Sequence, residues 1–368
     1  MASIACIDCE KGYPAEDIAF RCPRCGGIYD FIEPFPMAPE KVEEGLPGIW
    51  PYRHTFSLPQ QAPLVTLGEG NTPLIWHEIS GTQVAFKLEN LNPTGSFKDR
   101  GTAVLSSLLA ARGVSAAVED SSGNAGASFA AYAARTGVQA RIFVPAYASG
   151  PKRAQIERFG AVIESVPGPR SRAAEAVAAA AEAGAVYASH AYLPQGLPGF
   201  STIAYELVDQ LGQVPGSVIL PVGHGSLLLG LARGFQALAA AGMIERLPAL
   251  IGVQASACAP FWQAYQTNQE LPARVAEGET LAEGVRIVNP YRRQAVLQAV
   301  KDSAGHFLIV EEEQILVGQS QLARRGMDVE LTSALVWDAL QQVLDTARKP
   351  ITVILTGHGL KEGNREQD

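Results

Sequence analysis

The chain has 368 residues, of which 47% are apolar and 18% are charged. A chain of this length and composition has room for two domains and a small third, and it is not disordered throughout. The formal net charge is −8, from 29 basic and 37 acidic residues. This charge argues against a protein that coats nucleic acid, and it gives no general attraction to anionic membranes.

The sequence predicts neither a secretory leader nor a membrane span. The N-terminal segment has no long apolar run behind basic residues, so we expect no signal peptide. No apolar stretch is long enough to cross a bilayer without a charge. Four of the five cysteines lie within the first 25 residues, whereas secreted disulfide proteins usually spread theirs through the fold. We therefore expect a cytoplasmic protein.

Two Cys-x-x-Cys pairs stand near the N-terminus, Cys6 with Cys9 and Cys22 with Cys25. Each pair can place two thiolates on one tight turn, and two such turns complete a tetrahedral four-sulfur metal site. We predict that these four cysteines bind a structural Zn²⁺ and that residues 1–33 form a zinc ribbon. Four free or partly oxidised thiols are the alternative.

A proline-rich connector follows, and from about residue 84 short apolar runs alternate with amphipathic stretches. Strands are predicted over 116–119, 140–144 and 161–166, and helices over 126–135, 152–159 and 171–183. The alternation restarts with predicted strands over 217–222, 250–254 and 351–355 and predicted helices over 227–241, 314–325 and 332–346. Such alternation is typical of parallel sheets covered by helices. We therefore predict two doubly wound α/β units, with ligands beyond the carboxyl ends of the strands.

The segment around Lys98 has features of a reactive lysine. Residues 92–95 form a predicted turn, and Ser96 can cap a helix that starts near Lys98. A lysine on the first turn of a helix feels the positive end of the helix dipole, which disfavours its ammonium form. An easily deprotonated lysine is what a Schiff-base nucleophile needs. On spacing alone, an ordinary surface lysine beside Asp99 is the better explanation.

Two glycine-containing loops have the form of anion sites. Residues 121–125 and residues 223–226 each lead into a helix, so several backbone N–H groups point in one direction. Asn124 is equally explained as a helix cap, and the second loop as an unoccupied turn. Thr356 ends the last predicted strand, where a threonine can also satisfy a backbone group.

Four ordered sequence blocks resemble threonine synthases, in the tryptophan-synthase β-like superfamily. Residues 93–101, PTGSFKDRG, resemble the lysine motif that holds pyridoxal phosphate, and residues 121–126, SSGNAG, resemble the next block of the family. Residues 222–226, VGHGS, stand where these enzymes hold the cofactor phosphate, and residues 356–361, TGHGLK, are similar to the C-terminal signature. The blocks span residues 87–361, and many members of the family also carry an N-terminal cysteine-paired segment.

The resemblance implies a role for each matching residue. Lys98 would hold pyridoxal 5'-phosphate as a Schiff base and move the proton of the substrate's α-carbon. The residues that would bind the substrate carboxylate are Ser121, Ser122, Gly123, Asn124 and Ala125. The further cofactor contacts would be Asn124 for the ring oxygen, Val222, Gly223, His224, Gly225 and Ser226 for the phosphate, and Thr356 for the pyridine nitrogen.

The resemblance also implies a fold and an assembly. The fold would be the two-domain α/β arrangement of fold type II pyridoxal-phosphate enzymes, with the N-terminal zinc ribbon added. Residues 34–100 and 191–368 would form the larger, cofactor-binding domain, and residues 101–190 the smaller one. Members are commonly homodimers that act on small amino acids, so neither a nucleic acid nor a membrane is expected as a partner.

Two departures separate this chain from the usual threonine synthase pattern. The phosphate loop usually reads close to V-G-N-A-G-N, whereas residues 222–230 read VGHGSLLLG, which looks more like serine and threonine dehydratases. Threonine synthases also usually carry N-P-x-R, whose arginine grips the substrate phosphate, but residues 192–199 contain no arginine. Arg286, Arg292 or Arg293 could replace it, and the sequence does not decide between them.

The resemblance predicts a lyase of amino-acid biosynthesis that converts O-phosphohomoserine to threonine and phosphate. The alternative within the same family is an enzyme of β-elimination or β-replacement, such as a serine or threonine dehydratase. A third hypothesis, from a different class, is a zinc-ribbon binding protein on an inactive enzyme scaffold. The intact Lys98, Asn124 and Thr356 argue against it.

Overall fold

The computed structural model describes residues 3–148, 150–268 and 278–363. The chain divides into two compact units. Unit 1 comprises Met1–Glu69, Asn92–Gly199 and Lys361–Asp368, and unit 2 comprises Gly70–Leu91 and Phe200–Leu360. None of the helices in these described stretches is long and apolar enough to cross a membrane.

The strands and helices are numbered in chain order. The strands are β1 (Ile4–Cys6), β2 (Tyr29–Phe31), β3 (Leu74–Ile79), β4 (Thr82–Lys87), β5 (Ala116–Glu119), β6 (Gln139–Pro145), β7 (Val162–Val166), β8 (Val186–Tyr187), β9 (Ser217–Pro221), β10 (Ala249–Ala255), β11 (His306–Val310) and β12 (Ile351–Ile354). The helices are α1 (Lys98–Ala111), α2 (Asn124–Thr136), α3 (Pro151–Arg158), α4 (Arg170–Glu182), α5 (Leu197–Leu211), α6 (Ser226–Ala240), α7 (Pro260–Gln266), α8 (Arg293–Asp302), α9 (Glu312–Ala323) and α10 (Leu331–Val343).

Unit 1 contains a parallel sheet with the strand order β7-β6-β5-β8. The predicted alternation is confirmed here, because β5, β6 and β7 match the predicted strands and α2, α3 and α4 match the predicted helices. Helix α2 ends at Gly137, whose φ of +75° is a conformation that glycine adopts without strain. The sequence predicted a cap from Ser96 for α1, but that helix begins at Lys98 without a side-chain cap.

The N-terminal segment packs against unit 1. Strands β1 and β2 pair antiparallel, and the segment between them contacts the aromatic residues on both sides of His190. The ring of Phe20 lies 5.3 Å from that of Tyr187 and 5.5 Å from that of Tyr192. Arg21 donates a hydrogen bond of 2.6 Å to the hydroxyl of Tyr192. The N-terminal segment therefore packs against the loop that follows β8.

The connector after the cysteines also belongs to unit 1. Trp50 is buried in a hydrophobic cluster with Val104 and Tyr132. The carboxylate of Glu69 accepts hydrogen bonds from Trp50 Nε1 at 3.1 Å and from the Tyr132 hydroxyl at 2.6 Å. The domain division inferred from the sequence placed residues 34–100 with the larger domain. In the division into compact units, residues 34–69 belong to unit 1, and the domain bounds inferred from the sequence stay a prediction.

Unit 2 contains a six-stranded sheet with the order β11-β10-β9-β12-β4-β3. All neighbours are parallel except β3 and β4. The two residues between these strands, Ser80 and Gly81, both have positive φ, which is the tight turn of a hairpin and too short for a parallel crossover. The sheet is therefore mixed, with this antiparallel pair at one edge of the parallel strands that a doubly wound unit contains.

The core of unit 2 brings two functional segments together. Ile219 of β9 and Val353 of β12 are partners in the sheet, and both are fully buried. Parallel neighbours end at the same edge of a sheet, so the segments after β9 and β12 emerge side by side. These are the predicted phosphate loop and the segment that begins with Thr356.

Candidate active site

Lys98 is the first residue of α1 and belongs to unit 1. Its Nζ lies 4.6 Å from the ring centroid of Phe97. The predicted turn before it is present, since Gly95 donates its backbone N–H to the carbonyl of Asn92 at 2.7 Å. Gly95 has a φ of +82°, so this turn favours glycine.

The turn before Lys98 is fixed by a buried carboxylate and a buried ammonium. Asp99 is fully buried and accepts hydrogen bonds from the backbone N–H of Thr94 at 2.7 Å and from its hydroxyl at 2.6 Å. A third hydrogen bond of 2.6 Å comes from the Ser128 hydroxyl. The carbonyl of Thr94 accepts one of 2.7 Å from Nζ of Lys361. Two charged groups therefore hold the residue that stands four positions before Lys98.

The predicted carboxylate loop, Ser121–Ala125, connects β5 to α2 and also lies in unit 1. The N–H of Ser121 donates to Oε2 of Glu119, and the N–H of Gly123 donates to the Ser121 hydroxyl at 3.2 Å. Two of the five backbone N–H groups of this loop are therefore engaged within the protein. A side chain at Gly126 would overlap the carbonyl oxygen of Ser121, so glycine allows the loop to close onto the helix.

Glu119 joins this loop to His190. Its side chain is 1% exposed, and Oε1 lies 2.9 Å from Nδ1 of His190, whose side chain is 20% exposed. Burial raises the pKa of Glu119 to about 7, although the Ser121 N–H and the charges of Arg170 and Lys98 oppose that rise. Burial and the charge of Lys98 hold the pKa of His190 well below its usual value. Lys98, the loop and this pair are therefore close together.

Sequence reasoning missed both Glu119 and His190. Their side chains meet because β5 and β8 are neighbours in the sheet, although 71 positions separate them in the chain. The available signal was a carboxylate at the very end of an apolar strand, two positions before the loop. A polar residue in that position commonly faces the ligand side of an α/β sheet.

The predicted phosphate loop, residues 222–226, lies in unit 2 between β9 and α6. Gly225 has a φ of +84° and directly precedes the helix. A Cβ on Gly223 would lie 2.7 Å from the carbonyl oxygen of Gly284, so the loop is packed closely from one side. The ring of His224 stacks on that of Tyr291 with 4.9 Å between centroids. The first turn of α6 presents backbone N–H groups, as an anion site requires.

Thr356 lies just beyond β12, on the same edge of the sheet. It is 2% exposed, and its backbone N–H donates to the Ser333 hydroxyl at 2.9 Å. Its own hydroxyl is buried and has no hydrogen-bond partner within the described part of the chain. A buried hydroxyl usually has a partner, and a ring nitrogen of a bound ligand would supply one. The buried hydroxyl of Thr356 and the first turn of α6 are therefore compatible with the cofactor contacts that the resemblance implies.

A comparison with protein families decides what this ligand is. The family model described as "Pyridoxal-phosphate dependent enzyme" matches residues 65–357. The chain belongs to the pyridoxal-phosphate dependent enzymes. This membership confirms the α/β fold of type II and the cofactor that the sequence blocks predicted.

Similarity to individual family members extends over nearly the whole chain. The threonine synthase of Methanocaldococcus jannaschii is 34% identical, over 97% of this chain and 92% of that protein. The threonine synthase of Methanosarcina acetivorans is 31% identical, over 98% and 93%. Among solved structures, the T.th. threonine deaminase has a TM-score of 0.68 and 28% identity, over 81% of this chain and 94% of that one. This member of the family is therefore a pyridoxal-phosphate dependent lyase.

The predicted cofactor residues are divided between the two compact units. Lys98 and Asn124 lie in unit 1, and residues 222–226 and Thr356 lie in unit 2. Of the arginines that could replace the missing one, Arg292 is buried at 5% exposure and Arg293 begins α8. No residue of the 192–199 stretch supplies a cation.

The four N-terminal cysteines lie together. All four are free thiols, and their sulfur atoms are within 4.8 Å of one another. The sulfur atoms of Cys6 and Cys25 are 3.5 Å apart, and those of Cys9 and Cys22 are 3.6 Å apart. A tetrahedral Zn²⁺ about 2.3 Å from each sulfur would separate them by roughly 3.8 Å. The donor set therefore fits a zinc ion.

Proposed function

We propose that the chain is a threonine synthase, which converts O-phosphohomoserine and water to threonine and phosphate. The observation that carries this proposal is near-full-length similarity to two proteins named threonine synthase, at 34% and 31% identity. The C-terminal block at residues 356–361 supports the same assignment.

The cofactor contacts are proposed residue by residue. Lys98 would hold pyridoxal phosphate covalently, Asn124 would contact the ring oxygen, and Thr356 would pair with the pyridine nitrogen. The phosphate would lie on the backbone of Val222, Gly223, His224, Gly225 and Ser226. This set is supported by the buried hydroxyl of Thr356 and by the helix that begins at Ser226. Bound there, pyridoxal phosphate supplies the electron sink that acidifies the α-carbon of an amino acid.

The protein's own groups then have distinct tasks. The backbone of Ser121–Ala125 binds and orients the substrate carboxylate. Nζ of Lys98 takes the proton from the α-carbon and returns it later, so one group is both base and acid. Asp99 and Lys361 keep Lys98 in place by fixing Thr94. The β-carbon loses a proton as phosphate leaves the γ-carbon, and the γ-carbon then takes up a proton to become a methyl group. Addition of water at the β-carbon completes the reaction.

Product analysis tests the proposal directly. Purified enzyme is incubated with O-phosphohomoserine, L-serine or L-threonine, and phosphate, threonine, ammonia and keto acids are measured. The proposal requires phosphate and threonine in equal amounts from O-phosphohomoserine. Comparable turnover of unphosphorylated substrates, with no phosphate release, would reject it. Lys98→Ala should lose both the visible Schiff-base absorbance and all turnover, because the nucleophile and the proton carrier disappear together.

A second candidate is a dehydratase-like elimination at the β-carbon. Two sequence features favour it, the dehydratase-like residues 222–230 and the absence of an arginine in residues 192–199. A leaving phosphate is usually paired with a bidentate arginine. The similarity to a threonine deaminase structure agrees with this candidate as well. Ammonia and keto acid from L-threonine or L-serine would be its products.

We also propose that Cys6, Cys9, Cys22 and Cys25 bind one structural Zn²⁺ and that residues 1–33 form a zinc ribbon. The clustering of the four sulfur atoms supports it. A four-sulfur site leaves no open position on the metal, so the ion would not act in catalysis. Protein prepared without chelator should contain one zinc per chain, and Cys6→Ser with Cys9→Ser should contain none. Metal-free wild-type protein would contradict the proposal.

The other sequence expectations remain proposals too. We propose that the protein is a cytoplasmic homodimer that acts on a small amino acid and binds no nucleic acid. We also propose that residues 101–190 form a smaller domain and that residues 34–100 and 191–368 form a larger one. Light scattering at the mass of one chain would exclude the dimer.

A further inference from the structure

The carboxylate of Glu119 and the imidazole of His190 form a pair beside the groups that handle the substrate's α-carbon. One oxygen of Glu119 accepts the N–H of Ser121, the first residue of the carboxylate loop. The other lies 2.9 Å from Nδ1 of His190. The charge of Lys98 acts on both members of the pair. A substrate held by the loop and by Lys98 is therefore held next to this pair.

The pair fixes which nitrogen of His190 can accept a proton. An ionised Glu119 accepts the hydrogen bond of Nδ1–H, so Nε2 is the basic nitrogen of the neutral ring. The ring is neutral because burial and the positive charges of Lys98 and Arg170 disfavour its charged form, while Asp120 opposes them. When Nε2 takes a proton, the adjacent carboxylate stabilises the imidazolium. These are the properties of a general base with a fixed orientation.

Lys98 does not serve every proton transfer of the proposed reaction. It serves the α-carbon, whereas water that adds to the β-carbon has to lose a proton elsewhere. The oxygen's lone pair forms the C–O bond, and the electron pair of the Cα–Cβ double bond moves to the α-carbon, which takes a proton from Lys98. One O–H bond of the water breaks, and its electron pair stays on oxygen. The proton released in this way needs an acceptor near the loop.

We propose that His190, positioned by Glu119, is that acceptor and carries the proton of the oxygen on the substrate's β-carbon. The inference rests on the proposed function for its direction. In a dehydratase the same step runs backwards, and His190 protonates the β-hydroxyl as it leaves as water. His190 is then the catalytic residue for the β-oxygen, and Glu119 is its positioning residue.

The test separates chemistry at the α-carbon from chemistry at the β-carbon in the holoenzyme. His190→Gln and Glu119→Gln are compared with wild type and with His54→Gln, an imidazole-to-amide change in unit 1 within the short helical segment Trp50–Thr55. Schiff-base absorbance reports the bound cofactor. Exchange of the α-proton of L-threonine with D₂O, followed by NMR, measures the proton transfer that Lys98 carries out at the α-carbon. Phosphate release and threonine formation from O-phosphohomoserine report the complete reaction.

His190→Gln should keep the absorbance and exchange the α-proton within about threefold of wild type, because Lys98 is intact. Its kcat for threonine formation should fall by about 10²- to 10⁴-fold, the usual contribution of a general base. Glu119→Gln should keep α-proton exchange and lose the acidic limb of the pH–kcat profile, because the amide does not ionise. An equal loss of exchange and turnover in His190→Gln, or no loss of turnover, would overturn the inference.

If the chain is not a threonine synthase, the same experiment gives a result that is distinct from failure of the inference about His190. Wild-type enzyme would then release no phosphate, and the same variants are assayed for ammonia and keto acid from L-threonine. A selective loss of that activity in His190→Gln supports the pair even though the chain is not a threonine synthase. If wild-type enzyme neither makes nor breaks a bond between oxygen and the β-carbon, the inference fails together with the function.

Discussion

Replacing Glu119 with glutamine should change how the stability of the protein depends on pH. Burial raises the pKa of this carboxyl from 4.5 to about 7, so the folded state binds its proton more tightly than the unfolded state. The resulting stability is complete below about pH 4.5 and is lost as the pH rises through about 7. A tenfold change in proton affinity is about 1.4 kcal/mol. The full effect on the free energy of unfolding is therefore about 3 kcal/mol.

The measurement is urea unfolding of wild type and Glu119→Gln, at about pH 4.5 and about pH 8.5. The fluorescence of Trp50 reports the unfolding of unit 1, because Trp50 is the only tryptophan within the sequence ranges of that unit. Wild type should lose about 3 kcal/mol relative to the variant between these two pH values. Glu119 also raises the pKa of Asp120, so removing its charge adds to the difference in the same direction.

Glu164→Gln is the matched control, because Glu164 lies on β7 of the same sheet in an exposed ion pair with Arg141. Its effect should stay within about 0.5 kcal/mol and change little with pH. A stability difference between wild type and Glu119→Gln that is the same at both pH values would refute the reasoning. The carboxyl would then titrate alike in the folded and unfolded states.

Three other substitutions probe the site and its support. Lys361→Met removes the ammonium that holds the Thr94 carbonyl, and kcat/KM should fall about tenfold in steady-state assays, since a charged hydrogen bond contributes about 1.5–3 kcal/mol. Gly126→Ala should displace the carboxylate loop and raise KM in the same assays. Gly363→Ala should not, because its Cβ would meet only the Pro151 side chain, at an ordinary contact distance of 3.7 Å. Lys87→Met removes the cation bound to buried Glu206 at 2.6 Å, and urea unfolding should show a loss of about 3–5 kcal/mol.

Local sequence signals predicted the parts of the fold that depend on neighbouring residues. The helix near Lys98 and the strand Ala116–Glu119 follow from short-range patterns. Hairpin β3–β4 was not predicted, because β3 is a partly buried edge strand and β4 is almost wholly buried, so neither strand shows a clean alternation of buried and exposed residues. Because this hairpin pairs β3 antiparallel to β4, the sheet of unit 2 is mixed.

The site could be predicted only where a motif carries it. Lys98 and the loop beginning at Ser121 are contiguous blocks, so their residue types and spacing are informative. The Glu119–His190 pair depends on the adjacency of two strands that are distant in the chain. Asp99 was considered only as a neighbour of Lys98, but its carboxylate holds Thr94. The spacing of residues in the sequence does not predict a side-chain contact that depends on tertiary packing.

The contact between the cysteine segment and the loop after β8 has an evolutionary consequence. Phe20 packs against Tyr187 and Tyr192, and Arg21 binds the hydroxyl of Tyr192. These two tyrosines flank His190 in the chain, so the N-terminal segment and the loop cannot diverge independently. A lineage that discards the segment has to cover the exposed rings with new residues. In relatives that retain it, changes at position 20 should be accompanied by changes at position 187 or 192.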